Sequence, residues 1–141
     1  MAQLLEFVGN HPYLFAAAGA LIALLIANEI VGQFTGGKRL STHDAVRLIN
    51  DRDPLIVDVR PLPDYKRGHL LNAFHAPLPK FDDVLGQLAK DKARPVLVYC
   101  ALGTSSSTAT DKLRKAGFGE VYGLRGGING WQMANLPVTT K

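Results

Sequence analysis

Residues 96–109 read VLVYCALGTSSSTA and join an apolar run to a loop rich in hydroxyl side chains. The run PVLVYC, residues 95–100, is too continuous for a strand with one exposed face, and it predicts a strand buried in a parallel sheet. The segment after Gly103 predicts a helix over residues 104–116. Cys100, the only cysteine of the chain, therefore ends a buried strand and precedes the N-terminus of a helix.

Similar strand and helix patterns alternate along the rest of the chain. At 141 residues, the chain has room for one ordinary domain and little else. Strands that alternate with helices at this spacing predict an α/β fold, with a parallel sheet covered by helices on both faces. The predicted strands are 54–60, 73–75 and 120–124. A helical turn is predicted over 63–68, and further helices are predicted after Ser41, over 81–90 and after 125.

The segment from Tyr13 to Val31 is almost entirely apolar, with Asn28 and Glu29 as its strongly polar members. As a helix it would reach about 28 Å, close to the thickness of a bilayer's hydrocarbon core. It is apolar on all sides, unlike a core helix of a two-layer domain, and it lacks the preceding positive charge and cleavage pattern of a signal peptide. We therefore predict an uncleaved transmembrane helix over residues 13–34, with a signal peptide and a buried core helix as alternatives.

Lys38 and Arg39 directly follow this helix, and residues 1–33 contain no Lys or Arg. The positive-inside rule then predicts a single-pass protein of the bacterial inner membrane, with its N-terminus outside and its C-terminal domain in the cytoplasm. A lone cysteine agrees with that reducing compartment. The predicted organisation is a short extracytoplasmic N-terminus over 1–12, a transmembrane helix over 13–34, a linker over 35–39, a domain over 40–135 and a tail over 136–141.

The composition argues against several functional classes. One cysteine permits neither an intrachain disulfide nor a thiolate zinc site, and the four histidines lack the spacing of metal ligands. The net charge of +4 comes from basic residues scattered among acidic ones, without an interleaved ladder of aromatic residues. We therefore expect no metal site and no nucleic-acid partner.

The surroundings of Cys100 favour a reactive thiol. Active sites in open parallel α/β sheets lie beyond the carboxyl ends of the strands. The loop of residues 101–105 turns directly into a helix, so its N–H groups can converge on sulfur while the positive end of the helix dipole favours the thiolate. The hydroxyl groups of residues 104–107 can add hydrogen bonds or cap the helix. The alternative is a buried cysteine that only fills space.

Five motifs resemble, in their order along the chain, a single-domain rhodanese, which is a sulfurtransferase: IVDVR, GHLLNA, VYCALGTSS, KAGFGEVYGLRGG and GW, over residues 38–135. With its apolar N-terminal segment, the chain is further similar to membrane-tethered rhodanese-like proteins of bacteria. The resemblance implies a rhodanese-like sheet of about five strands and a persulfide carried by Cys100. The implied active-site loop, which binds the persulfide or an anion, comprises Ala101, Leu102, Gly103, Thr104, Ser105 and Ser106.

The resemblance also implies supporting residues. Asp58 and Arg60 match the strand-end pair of the family, and we expect them to brace neighbouring loops through an ion pair or backbone hydrogen bonds. His69 is expected to be a structural hydrogen-bonding residue rather than a base. No cofactor is expected beyond the covalent persulfide on Cys100.

Ser105 departs from the family pattern, because many rhodaneses carry an arginine at this loop position. Arginine is well suited to grip an oxyanion such as thiosulfate, so the efficient use of thiosulfate is an open question. A phosphatase or arsenate reductase of the related fold would need a Cys-x5-Arg loop, but the residue six places after Cys100 is Ser106. The neutral loop therefore argues against that class.

Two functions remain after these exclusions. The leading prediction is ping-pong sulfur transfer, in which Cys100 takes sulfur from a small donor (thiosulfate, a polysulfide or a persulfide) and passes it to a thiol acceptor. The alternative is a catalytically weak or inactive rhodanese-like module, held at the membrane, that binds a protein partner or senses redox state. Ser105 and the tether favour the module, whereas the intact cysteine and its hydroxyl-rich loop favour the enzyme.

Overall fold

The computed structural model describes residues 2–35 and 37–141, with side chains of the N-terminal range described from residue 6 to residue 30. The chain divides into two compact units, Met1–Gly36 and Gly37–Lys141. The helices are α1 Ala2–Asn10, α2 Pro12–Thr35, α3 Thr42–Arg52, α4 Leu62–Arg67, α5 Phe81–Leu88, α6 Ser106–Lys115 and α7 Gly127–Met133. The strands are β1 Arg39–Leu40, β2 Leu55–Asp58, β3 Phe74–His75, β4 Val96–Tyr99 and β5 Val121–Leu124, and 3-10 turns cover Leu78–Lys80 and Ala89–Asp91.

The C-terminal unit is built on a five-stranded sheet in the order β1-β5-β4-β2-β3, in which every pairing is parallel. The α/β class and the parallel sheet predicted from the sequence are confirmed. In the pairing of β2 with β4, Asp58 lies opposite Tyr99. Because the strands are parallel, the residues that follow Asp58 and Tyr99 emerge at the same edge of the sheet.

Both faces of the sheet carry an apolar core, which is why its central strands are continuously hydrophobic. On one face, Val57 and Val98 pack with Phe81 of α5 and Leu113 of α6. On the other face the core includes Trp131 of α7, together with Ala45, Ile56, Leu97, Tyr99, Leu124 and Ile128. The alternation of side chains along β4 thus fixes which helices lie on which face.

Helix α3 begins as its sequence predicts. The side chain of Ser41 accepts a hydrogen bond from the Asp44 N–H at 3.2 Å and donates one to the Asp44 carboxylate at 2.7 Å. This arrangement satisfies an N–H group that has no partner inside the helix. The acidic side chain in the first turn also interacts favourably with the helix dipole.

The two ends of the C-terminal unit differ from the predicted boundaries. Strand β1 begins at Arg39, inside the predicted linker 35–39, and pairs with β5. The predicted tail, 136–141, is held to the domain: Thr139 pairs with the backbone of His69, and the Trp131 indole donates to the Pro137 carbonyl at 2.9 Å. Two residues of strand and one bridge have too little hydrophobic pattern to be visible in the sequence, because strand pairing is what stabilises them.

The N-terminal unit contains one helix that is long and apolar enough to cross a membrane. The apolar window is Pro12–Ile30, its mean hydropathy is 1.9, and none of it is buried. Burial would be expected of a core helix, so this exposure argues against that alternative. The predicted segment 13–34 lies within α2, and α1 covers Ala2–Asn10 before it.

Candidate active site

Cys100 directly follows β4 at the carboxyl edge of the sheet. Its side chain is 5% exposed, and its Sγ accepts a hydrogen bond from the Gly103 N–H at 3.0 Å. A backbone amide aimed at sulfur stabilises negative charge on it. The thiol is therefore buried, with a backbone donor directed at its sulfur.

The loop after Cys100 keeps further donors available. The N–H groups of Leu102, Thr104 and Ser105 make no hydrogen bond within the described part of the chain, and these residues are exposed. Gly103 has a φ of 89°, and a Cβ at this position would lie 3.0 Å from both the Gly126 N and the Leu124 O. The left-handed turn at Gly103 thus bends the loop around the sulfur where a larger residue would not fit.

The hydroxyl groups of the loop do not add donors to the sulfur. Ser106 donates to the Gly103 carbonyl at 3.4 Å, and Ser107 donates to the Thr104 carbonyl at 3.1 Å. Ser105, the residue before α6, makes no side-chain capping bond. Helix α6 begins at Ser106, two residues later than predicted.

Helix α7 supports the cysteine loop through backbone hydrogen bonds. The N–H groups of Ile128 and Asn129 donate to the carbonyls of Cys100 and Ala101, at 2.9 Å and 3.1 Å. Gly127 makes this approach possible: its φ is 57°, and a Cβ there would lie 2.3 Å from the Cys100 carbonyl oxygen. The sequence predicted a helix after residue 125 but not this contact. The signal available was a pair of glycines between a strand and a helix, which marks a close backbone approach.

Asp58 and Arg60 form a buried ion pair beside the loop. The Arg60 side chain donates to both Asp58 carboxylate oxygens, with the shortest contact at 2.7 Å, and also donates to the Gly68 carbonyl at 2.7 Å. The Tyr99 hydroxyl donates to Asp58 at 2.7 Å and accepts from the Leu70 N–H at 3.1 Å. The pair thus braces the segment after α4 against the ends of β2 and β4.

The electrostatics of this network follow from its burial. Burial works against the charge of Arg60, but the hydrogen bonds and attraction of Asp58 outweigh it and raise the Arg60 pKa. Burial, followed by the neighbouring Asp58 carboxylate, raises the pKa of the Tyr99 hydroxyl far above its ordinary value. Tyr99 is therefore a neutral donor, and Arg60 is charged, near neutral pH.

His69 lies outside the space next to the thiol. It is buried, its ring stacks on that of Tyr65 with 3.8 Å between centroids, and its two ring nitrogens contact the carbonyl oxygens of Tyr65 and Lys141. The backbone of His69 also exchanges two hydrogen bonds with Thr139. These contacts join the C-terminal segment to the loop after α4.

A cavity of about 760 Å³ opens beside Cys100. Four parts of the chain enclose it: the residues after β2, the residues after β3, helix α5 and the cysteine loop. Its lining includes Cys100, Ala101, Ser105, Val59, Arg60, Pro61, Leu62, Asp64, His75, Pro77, Leu78, Pro79, Lys80 and Val84. Of the residues predicted for the site, Cys100, Ala101, Ser105 and Arg60 meet at this cavity. Its proline-rich wall was not predicted, because it is assembled from segments far apart in the sequence.

Comparison with known proteins places this geometry in a family. The family model for the rhodanese-like domain matches residues 41–134. The protein YibN of Escherichia coli K12 is 34% identical over 98% of this chain and 97% of its own length. The thiosulfate sulfurtransferase GlpE of Coxiella burnetii is 39% identical over 67% of this chain and 87% of its own length.

Among solved structures, the polysulfide-sulfur transferase homodimer of Wolinella succinogenes matches with a TM-score of 0.66 and 27% identity. The match covers 83% of this chain and 88% of that one. The family model spans β2 to β5 and includes the cysteine loop, whereas β1 lies just before the matched residues. The chain therefore belongs to the rhodanese-like family.

Proposed function

We propose that this protein is a membrane-anchored sulfurtransferase that carries sulfur as a persulfide on Cys100. The observation that carries the proposal is the position of the thiol, at the wall of a large cavity and with a backbone N–H directed at its sulfur at 3.0 Å. A buried cysteine that only filled space would need neither the cavity nor the amide. The names of relatives, a thiosulfate sulfurtransferase and a polysulfide-sulfur transferase, agree with this chemistry.

The reaction has two steps. The Cys100 thiolate attacks the outer sulfur of a donor such as thiosulfate, a polysulfide or a persulfide; a new S–S bond forms, and the electron pair of the broken bond leaves with the rest of the donor. A thiol acceptor then attacks the outer sulfur of the Cys100 persulfide and regenerates the thiolate. The N–H of Gly103 and the free N–H groups of the loop can stabilise the negative charge throughout. The persulfide itself carries the sulfur, so the reaction needs no cofactor.

Intact-mass measurement of the purified full chain tests this function. After exposure to thiosulfate or polysulfide, we expect a mass increase of one sulfur atom that cyanide removes. Cys100→Ser is the matched control, because it keeps the size of the side chain and removes the only thiol of the protein. If the wild-type chain gains no cyanide-labile sulfur, the enzyme proposal is wrong, and the non-catalytic membrane-held module becomes the better account.

The anchor and its orientation are part of the same proposal. Helix α2 supplies an exposed apolar window, and Lys38 and Arg39 follow it without any preceding cation. The proposed location is the bacterial inner membrane, with the rhodanese domain on the cytoplasmic side. A reporter fused after Lys141 should therefore be active in the cytoplasm and inactive outside it. Reporter activity outside the cytoplasm would show that the orientation is the reverse of the one proposed. If the fusion protein is not retained in membranes, the proposed anchor is wrong.

A further inference from the structure

The cavity beside Cys100 has walls that favour an apolar ligand. Leu62 at the start of α4, Leu78 in the 3-10 turn and Val84 in α5 present aliphatic side chains to it, and Pro61, Pro77 and Pro79 add rigid apolar surface. Leu62 is 48% exposed and lines the same cavity as the thiol. Ligand sites of several hundred cubic ångströms with apolar walls bury most of an organic molecule, whereas a small inorganic ion would leave most of this volume to water.

The charges at the cavity do not suit a strongly hydrated dianion. The Arg60 guanidinium is committed to Asp58 and the Gly68 carbonyl, and the Asp64 carboxylate pairs with Arg67. Ser105 contributes a neutral side chain to the wall. Lys80 is exposed and forms no ion pair within residues 2–35 and 37–141. One exposed cation can attract a monoanion, but it does not replace the hydration shell of a dianion such as thiosulfate.

From these walls and charges, we infer that the sulfur donor of this protein is an organic persulfide with an apolar body. This inference rests on the proposed sulfurtransferase function and names the substrate class of the same site. The apolar body lies against Leu62, Leu78 and Val84 while the terminal sulfur meets Cys100. The thiolate attacks that terminal sulfur, the S–S bond of the donor breaks, and its electron pair leaves with the organic sulfur as a thiolate, so that Cys100 holds the persulfide.

A pair of thiosulfonates isolates the contribution of the apolar body. Benzenethiosulfonate and methanethiosulfonate present the same reacting sulfur and differ in the group attached to the sulfonyl. Loading of Cys100 in the full-length protein in mild detergent is followed by intact mass, and each rate is divided by the rate of the same donor with glutathione. We expect the corrected second-order rate for benzenethiosulfonate to exceed that for methanethiosulfonate about tenfold or more, the discrimination typical of an apolar pocket.

Matched variants locate the preference in the cavity. Leu62→Asn replaces an aliphatic side chain of the cavity wall with a polar one and should remove most of the difference between the two donors. Leu71→Asn is the control, because Leu71 is also an exposed leucine, at 66%, and it does not line this cavity. Leu71→Asn should keep the wild-type ratio of the two donor rates. Because both variants are measured in the same detergent, a change seen only in Leu62→Asn does not come from partitioning of the donors into detergent.

The outcomes separate the inference from the function on which it rests. Equal corrected rates for the two thiosulfonates, or a preference that survives Leu62→Asn, would overturn the apolar donor while leaving sulfur transfer intact. Faster loading by thiosulfate than by benzenethiosulfonate would do the same. If no donor loads Cys100, the proposed function fails together with the inference.

Discussion

The neighbouring strands β2 and β4 end at the same edge of the sheet, one with Asp58 and the other with Tyr99 followed by Cys100. The end of β2 is closed: the Asp58 carboxylate, the Arg60 guanidinium and the Tyr99 hydroxyl satisfy one another. The end of β4 is open, with a thiol and several loop N–H groups that have no acceptor in the described chain. The network at the end of β2 thus stabilises this edge of the sheet, and the loop at the end of β4 keeps N–H donors free.

The largest effect on stability should come from breaking the Asp58–Arg60 ion pair at the end of β2. Asp58→Asn keeps the shape of the side chain but leaves the Arg60 charge without a counter-ion in a site where both side chains are buried. We expect the free energy of unfolding to fall by about 3 kcal/mol, near the lower end of the range for a broken buried pair, because Arg60 lines the cavity. Urea denaturation of the full chain in detergent, followed by the fluorescence of its single tryptophan, measures the change.

The control for this prediction is Asp53→Asn. Asp53 forms a 3.4 Å ion pair with Arg94, but its side chain is 94% exposed. Surface pairs of this kind contribute about 0 to 1 kcal/mol. Equal decreases in the free energy of unfolding for Asp58→Asn and Asp53→Asn would contradict a larger contribution from the buried pair at the end of β2.

The next largest effect should come from displacing the cysteine loop at the end of β4. Gly127→Ala places a Cβ 2.3 Å from the Cys100 carbonyl oxygen, at a residue with positive φ, so the cysteine loop must shift. A displacement of about 1 Å at a reacting group can cost about 100-fold in rate, and we expect sulfur loading to slow by that order. Gly86→Ala is the matched control, since a Cβ at Gly86 meets nothing within 4 Å. Similar rates for both variants would show that α7 does not position the loop.

A smaller effect is expected from adding a positive charge to the cysteine loop. Ser105 is exposed and lines the cavity, so Ser105→Arg can be accommodated without disturbing the core. A guanidinium there would bind the oxyanion of thiosulfate through charged hydrogen bonds and lower its KM about tenfold. Loading kinetics at several thiosulfate concentrations measure this, with Thr108→Arg, an exposed position in α6 that does not line the cavity, as the control. An unchanged KM would mean that the neutral loop does not limit thiosulfate use.

The smallest effect concerns a charge pair far from both strand ends. Arg52 donates to both carboxylate oxygens of Glu120, at 2.6 Å and 3.0 Å, and this hydrogen bonding lowers the Glu120 pKa. A carboxylate with a lowered pKa stabilises the fold above its unfolded pKa, and that contribution is lost as pH falls through the folded pKa. Arg52→Met should therefore lower the melting temperature slightly at pH 7, and the difference from wild type should vanish in acid.

Arg47→Met provides the comparison for this pH series. Arg47 is exposed on the same helix and makes no ion pair among the described residues. Its substitution should leave the pH dependence of the melting temperature unchanged. A difference between Arg52→Met and wild type that grows as pH falls would have the opposite sign to the one expected and would contradict the assignment.

Much of the fold follows from local pattern in the sequence. The continuous apolar runs of β2 and β4, the Ser41 cap and the alternation of strands with helices were sufficient to predict the parallel sheet, because each reports burial or a capping bond made within a few residues. The order of the motifs also led to the family. Cys100 and its loop were predicted because strand ends in such sheets collect functional groups.

The rest depended on contacts between distant segments. The sequence alone determined that a single cysteine stands between a buried strand and a helix, with a neutral Ser105 in its loop and an apolar segment near the N-terminus. The contacts that appear only in the fold are the support of the loop by α7 at Gly127, the network of Asp58 with Tyr99, and the cavity that Leu62, Leu78 and Val84 line together with the thiol. The physical reason is that capping and periodic burial are local properties, whereas packing and cavities arise when segments far apart in the chain approach one another.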